Sequence, residues 1–193
     1  MKSFSLKNFI FPTFLFLLFS FTPSIFAKEY SLNKVNVQAF LNQDGSMNVI
    51  EERAFNFQGD YRFVYQTINK QAMDREESYV LSNFKLCEKE TTICYKPLEK
   101  NLVNFSEARN NPDNTFVVDD RGDKYYLQWH FQANYEVKNF ILSYTVDNAI
   151  TTHQDVAELY WQFIGQDWEV ASNNIQVEIF LPSKTLASQM DSV

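Results

Sequence analysis

Period-two alternation of apolar and polar residues constrains this chain more than any other feature. Tyr125, Leu127, Trp129, Phe131 and Ala133 alternate with Tyr126, Gln128, His130 and Gln132. That is the pattern of a strand with one face against a core and the other against water. Val35, Val37, Ala39 and Leu41 likewise alternate with Lys34, Asn36, Gln38 and Phe40. Asn42-Gln43-Asp44-Gly45 then supplies hairpin-turn chemistry. Met47 and Val49 open a return strand whose face continues through Phe55 and Phe57. Phe140, Leu142, Tyr144 and Val146 follow, and Ile175, Val177, Ile179 and Leu181 close the pattern before Pro182. Short strands at this spacing predict an all-β, antiparallel β-sandwich-like single domain with one face of each sheet buried.

Two stretches stand outside this pattern. Val156, Leu159, Tyr160, Phe163 and Ile164 fit i, i+3, i+4, i+7, i+8, the apolar face of a helix, yet the same residues also suit an aromatic-rich strand. Lys100 to Asn114, with Asn110-Asn111-Pro112-Asp113, reads as a long surface loop. No internal repeat, low-complexity tract or linker divides the region.

The first 27 residues have a different character. Lys2 and Lys7 precede an apolar run from Ile10 to Phe21, and Ala27 follows Ile25 and Phe26. This order of positive, hydrophobic and small-residue regions predicts a secretory signal peptide cut after Ala27. An uncut anchor is the alternative, since Phe9 to Ala27 approaches the length of a span, about 20 residues, although Pro12 and Pro23 interrupt it. Removing the leader removes two lysines and no acid, so the formal charge moves from −7 to −9. Such a surface disfavours nucleic acid and anionic lipid. In an oxidising compartment Cys87 and Cys94, spaced C-x6-C, predict a disulfide across a polar hairpin loop.

Two blocks of residues resemble a known family. The first is Asp44-Gly45-Ser46-Met47-Asn48-Val49-Ile50-Glu51-Glu52 with Phe57-Gln58-Gly59-Asp60-Tyr61 and Val64-Tyr65. The second runs from Trp129 through Phe140-Ile141-Leu142-Ser143-Tyr144-Thr145-Val146, Asp155 and Glu158-Leu159-Tyr160-Trp161 to Ile164-Gly165, Trp168 and Leu181-Pro182. Together they are similar to domain-of-unknown-function family 2207 over most of residues 30–182. The resemblance implies the extracytoplasmic N-terminal part of a bacterial or archaeal membrane protein, followed in relatives by transmembrane helices. It brings no catalytic residues. Gln66-Thr67-Ile68-Asn69 stands where relatives tend to have an arginine and a proline, and the chain given stops at Val193, before any membrane region. The expected organisation is a leader at 1–27, a family-like β-domain at 28–185 and a short tail at 186–193.

Candidate chemistry is sparse. Glu51 and Arg53 share the inward register of Met47, Val49, Phe55 and Phe57 and would form a buried polar network there. A bulge turning both outward is the favoured alternative. Asp155, Glu158, Trp161, Asp167 and Trp168 mix acids with aromatics, as a sugar-binding surface does, although core packing is the stronger reading of the tryptophans. Asp119-Asp120-Arg121-Gly122-Asp123 contains Arg-Gly-Asp on a turn, best read as turn chemistry. Its acids do not meet the calcium-loop pattern. Asn104-Phe105-Ser106 is a glycosylation sequon. Of the two histidines, His130 alternates with core residues and is expected to face outward; His153 has no nucleophile motif beside it.

These observations lead us to expect an exported, non-catalytic domain at the cell envelope: periplasmic, at the cell surface or secreted. It would use no cofactor or metal and bind an envelope protein, with glycan binding through Asp155, Trp161 and Trp168 as the alternative. It would touch a membrane only through an uncut leader or a partner.

Overall fold

A computed structural model describes residues 29–71, 77–165 and 170–182. The leader therefore lies outside the described residues, as do Asp167, Trp168 and the tail. Eleven strands are described: β1 (Glu29–Leu41), β2 (Met47–Gln58), β3 (Asp60–Asn69), β4 (Val80–Glu88), β5 (Lys96–Pro97), β6 (Thr115–Asp120), β7 (Lys124–Asn134), β8 (Val137–Asp147), β9 (Ile150–Thr152), β10 (Ala157–Leu159) and β11 (Ile175–Phe180). They form a five-stranded sheet in the order β11-β1-β2-β8-β4, a four-stranded sheet in the order β3-β7-β6-β5, and a small β9–β10 ribbon.

The sandwich follows from the alternation. Val35, Val37 and Ala39 on β1, Met47, Val49, Phe55 and Phe57 on β2, and Phe140, Leu142, Tyr144 and Val146 on β8 are all buried on one face of the larger sheet. Leu127, Trp129, Phe131 and Ala133 on β7 meet them from the smaller one. The contact is aromatic. Trp129 packs edge-on against Phe55 and Phe140, with ring centroids 6.3 and 5.7 Å apart, and Phe131 lies 5.2 Å from Phe57. Such pairs add roughly 0.5–1.5 kcal/mol each beyond the area they bury.

The β1–β2 hairpin forms as its sequence predicts. Asn42 N–H donates to the Ser46 carbonyl at 2.9 Å, Asp44 accepts from both the amide and the hydroxyl of Ser46, and Gly45 takes a φ of +81°. A side chain at that backbone angle is strained.

Three elements depart from the sequence-based expectation. The antiparallel pattern is broken twice, because β11 lies parallel to β1 and β5 parallel to β6. Residues 98–114 join β5 to β6, and nearly the whole domain separates β1 from β11, so each parallel pair has the length of crossover it needs. The stretch Val156–Ile164 is not a helix. It forms β10, with Ala157 opposite Thr152, and runs on without regular structure into a bend at Phe163–Ile164; Leu159, Trp161, Phe163 and Ile164 pack against the core while Val156 and Tyr160 are exposed. Finally, residues 100–114 do more than skirt the surface. With 3-10 turns at Lys100–Leu102 and Ala108–Asn110, they fold over the outer face of the β3–β7–β6 sheet. Arg109–Asp60 and Arg62–Asp113 ion pairs tie the loop to β3, 2.8 and 2.9 Å long.

Cys87 and Cys94 form a disulfide. It closes the hairpin loop beneath which Glu88 is buried, accepting from the Tyr95 hydroxyl at 2.6 Å and the Lys138 ammonium at 3.2 Å. Replacing both cysteines by serine is expected to lower stability by about 2–3 kcal/mol, the loop-closure value for so short a ring. Urea unfolding of the oxidised wild type against the double variant measures it, and reductant added to the wild type should reproduce the loss.

A buried polar cavity and its surroundings

β2 carries its alternation through two charged residues without a slip. Its pairing with β8 is continuous from Met47 to Asn56, and the one irregularity near it lies on β1, between Leu32 and Lys34. The bulge expected to turn Glu51 and Arg53 outward is therefore absent from β2, and the two are only 2% and 4% exposed. Each finds its partner on the same face of the same strand. Glu51 Oε2 accepts from Arg53 Nε at 3.0 Å and from a terminal guanidinium nitrogen at 2.7 Å. Its other oxygen accepts from the Tyr144 hydroxyl on β8 at 2.6 Å. Gln66 of β3 completes the group from the opposite sheet, its amide Nε2 lying 3.4 Å from Glu51 Oε2. Burial, and then the Glu51 charge beside it, push the Tyr144 phenol well above its ordinary pKa, so it remains a donor.

These side chains wall a cavity of about 50 Å³ between the sheets, completed by Thr67, Ile68, Asn69, Gln162, Phe163 and Gly165. Across its mouth the Asn69 amide donates to the Gln162 side chain at 3.1 Å. Gln162 and Phe163 belong to the irregular chain after β10. The structure thus brings the Glu51 group and the Trp161 neighbourhood together, which no spacing in the sequence could show. Trp161 is half-buried, edge-on to Tyr79 at 4.8 Å, and its ring lies 6.5 Å from that of Tyr144. Asp155 stands apart on the exposed turn of the β9–β10 ribbon. Glu158 is also exposed, 3.6 Å from His153 Nε2.

The second buried polar group overturns an expectation. His130 does not face outward to water; it is 0% exposed. Its side of β7 is the outer face, as the alternation requires, but residues 100–114 cover that face. Thr115 Oγ1 donates to the Pro112 carbonyl at 2.6 Å and so must accept from His130 Nδ1, 2.9 Å away. His130 Nε2 receives the Asn111 amide at 3.1 Å and the Gln128 amide at 2.9 Å. The Asn111 amide is oriented independently, by the backbone of Asn104 and Ala108. The imidazole is therefore neutral and protonated at Nδ1. The available signal was the Asn-Asn-Pro-Asp run, whose amides needed a buried partner once the loop lay down.

The remaining motifs are engaged in structure. Arg121 of the Arg-Gly-Asp tripeptide donates to Asp119 at 2.9 Å and lies 3.7 Å over the Tyr126 ring. Burial raises the Asp119 pKa, but its bonds to Lys100 and Arg121 outweigh that and hold it below the usual carboxylate range. Asp120 pairs with Lys70 at 2.8 Å. Asn104 is exposed, but its side-chain oxygen accepts from Ser106 and from the Glu107 amide. No group of three or more metal-ligating side chains occurs among the described residues.

β11 is exposed by contrast. Ile175, Val177 and Ile179 stand in register with the buried Val35, Val37 and Ala39, yet they are 48%, 38% and 46% exposed.

Comparison with known proteins gives one family. The model described as "Predicted membrane protein (DUF2207) N-terminal domain" matches residues 31–191. No curated protein matches the chain. Among solved structures, a crystal structure of a "putative protease" from Parabacteroides distasonis is similar at 14% identity and a TM-score of 0.29, over 61% of this chain and 23% of its own. This chain thus spans about a quarter of that protein's length, and a likeness so slight carries no argument.

The His130 group is tested by pH and the Glu51 group by removal of a charge. Burial lowers the His130 pKa from 6.5 to about 4. The unfolded chain therefore binds more protons between those values, so the contribution is complete above pH 6.5 and is lost as pH falls toward 4. Stability measured across that window should decline, and the His130→Asn variant, although less stable at neutral pH, should show a shallower slope. Glu51→Gln leaves the Arg53 charge without its carboxylate and is expected to cost about 3–5 kcal/mol, as breaking a buried pair does. Thermal unfolding of that variant checks it.

Proposed function

We propose, on the premise that this chain belongs to the DUF2207 N-terminal domain family, that it is an exported, non-catalytic domain that binds a protein partner at the cell envelope through β11. One observation carries this reading: β11 is an apolar end strand of its sheet on which Ile175, Val177 and Ile179 remain exposed. Natural edge strands are blunted by charges, proline or a covering segment. The one charge on β11 is Glu178, and it accepts a hydrogen bond from Gln38 at 3.1 Å. On the outer face Phe180 stacks on Phe40 at 4.6 Å, which stiffens the strand in an extended form. A partner strand pairing along this edge would gain backbone hydrogen bonds and cover Ile175, Val177 and Ile179.

Export is supported by the leader pattern and by the disulfide, which an oxidising compartment maintains. The non-catalytic reading is supported by the position of the histidines. His130 is sealed beneath the loop, and His153 faces solvent beside a glutamate. Glycan binding by stacking on Trp161 is the weaker reading, because that ring turns into Tyr79.

The test places a photocrosslinking residue at Gln176 in the chain expressed with its leader. A mature mass beginning at Lys28 and one dominant envelope adduct are expected, with the adduct lost in Val177→Lys while the melting temperature stays within a few degrees. No adduct, or one indifferent to Val177→Lys, would rule out β11 as the interface.

A further inference from the structure

The cavity beside Glu51 contains an unmet hydrogen-bond requirement that defines what would enter it. Gln66 is only 5% exposed, and its carbonyl oxygen Oε1 has no donor within reach. Turning the amide over does not help, because Oε1 would then face Glu51 Oε2, the carboxylate oxygen that Nε2 now approaches at 3.4 Å. A buried amide oxygen without a donor carries its full desolvation penalty, so the cavity favours any guest that donates there. Charge narrows the choice further. Glu51 is already neutralised by Arg53 and bonded by Tyr144, and a charged guest would enter a low-dielectric space with no counter-ion left for it. Size narrows it again: about 50 Å³ admits a group of roughly two to three heavy atoms.

We infer that the cavity beside Glu51 receives the hydroxymethyl arm of a neutral sugar, whose ring rests at the mouth against Asn69, Gln162 and Phe163. The hydroxyl of the arm donates to Gln66 Oε1. The mouth suits the ring that carries it. Asn69 and Gln162 are exposed amides that bond each other across the mouth and would exchange that bond for the ring's vicinal hydroxyls, and Phe163 is a half-buried apolar contact for the ring's C–H face. A serine side chain would satisfy Gln66 equally well, but it gives the two amides no ring hydroxyls to meet. This site is independent of β11, so failure at either leaves the other standing.

Titration of the intact mature chain with D-glucose, with D-xylose, which lacks the hydroxymethyl arm, and with N-acetylserinamide, read by the ring resonances of Tyr144 and Phe163, tests the inference. Glucose should give saturable shifts at millimolar concentration, and xylose should bind several-fold more weakly, because a site built around a hydroxyl rejects the analogue without it. Gln66→Leu should abolish the preference for glucose over xylose. Asn69→Ala, at an exposed position, should weaken glucose binding several-fold with unfolding unchanged, which separates loss of the site from loss of the fold. Equal responses to glucose and xylose would overturn the inference. So would a response to serinamide alone, or no saturable shift with ordered water only in the cavity.

Discussion

The packing of Trp129 against Phe55 and Phe140 is the contact on which the rest of the molecule depends. These three rings come from β7, β2 and β8, the central strands of the two sheets, and they fix how far apart and at what angle the sheets lie. Phe57, Phe131 and Tyr61 extend the layer toward the β2–β3 turn, and Tyr95 extends it toward the disulfide hairpin. Residues that keep a large ring on the inner side of every central strand leave little freedom in the register, since a slip of one residue would expose them all.

That register places Glu51 and Arg53 inside. On a strand whose every second side chain must face the opposite sheet, a charged pair two residues apart is committed to the interior, and it survives there by bonding to itself, to Tyr144 and to Gln66. The cavity follows, because four polar side chains crossing between sheets do not fill space as aromatic rings do. The pair is weak evidence for stability, since a buried ion pair seldom exceeds a well-packed apolar substitute. Its persistence in the middle of an aromatic layer is better understood as the maintenance of a polar interior.

The outer side of β7 presents the opposite case. Gln128 and His130 are polar, as alternation with a solvated face requires, but residues 100–114 turn that face into a second, smaller interior. Alternation assigns each residue to one side of a sheet and says nothing about what lies on that side, so His130 was legible as outward and not as buried. The stretch Val156–Ile164 shows a related limit. Its apolar residues fit a helical period and an extended one, and the extended form prevails where β10 can pair with β9 and Trp161 can reach Tyr79. The Cys87–Cys94 pair, by contrast, was legible from the leader and the spacing together, because an oxidising compartment favours pairing and a six-residue polar loop suits a hairpin between them.

The sequence by itself determined the β class, the strands β1, β2, β7, β8 and β11, the first hairpin, the disulfide and the family, all of which depend on near neighbours along the chain or on patterns that repeat within it. Tertiary structure alone decided that β11 returns parallel to β1, that the cavity joins Glu51 to the chain after β10, and that His130 lies beneath a loop. Each of those is a contact between residues distant in sequence. Periodicity sets the face on which a side chain stands, but whether that face is covered, as on β7, or exposed, as on β11, is chosen by the packing of the whole domain.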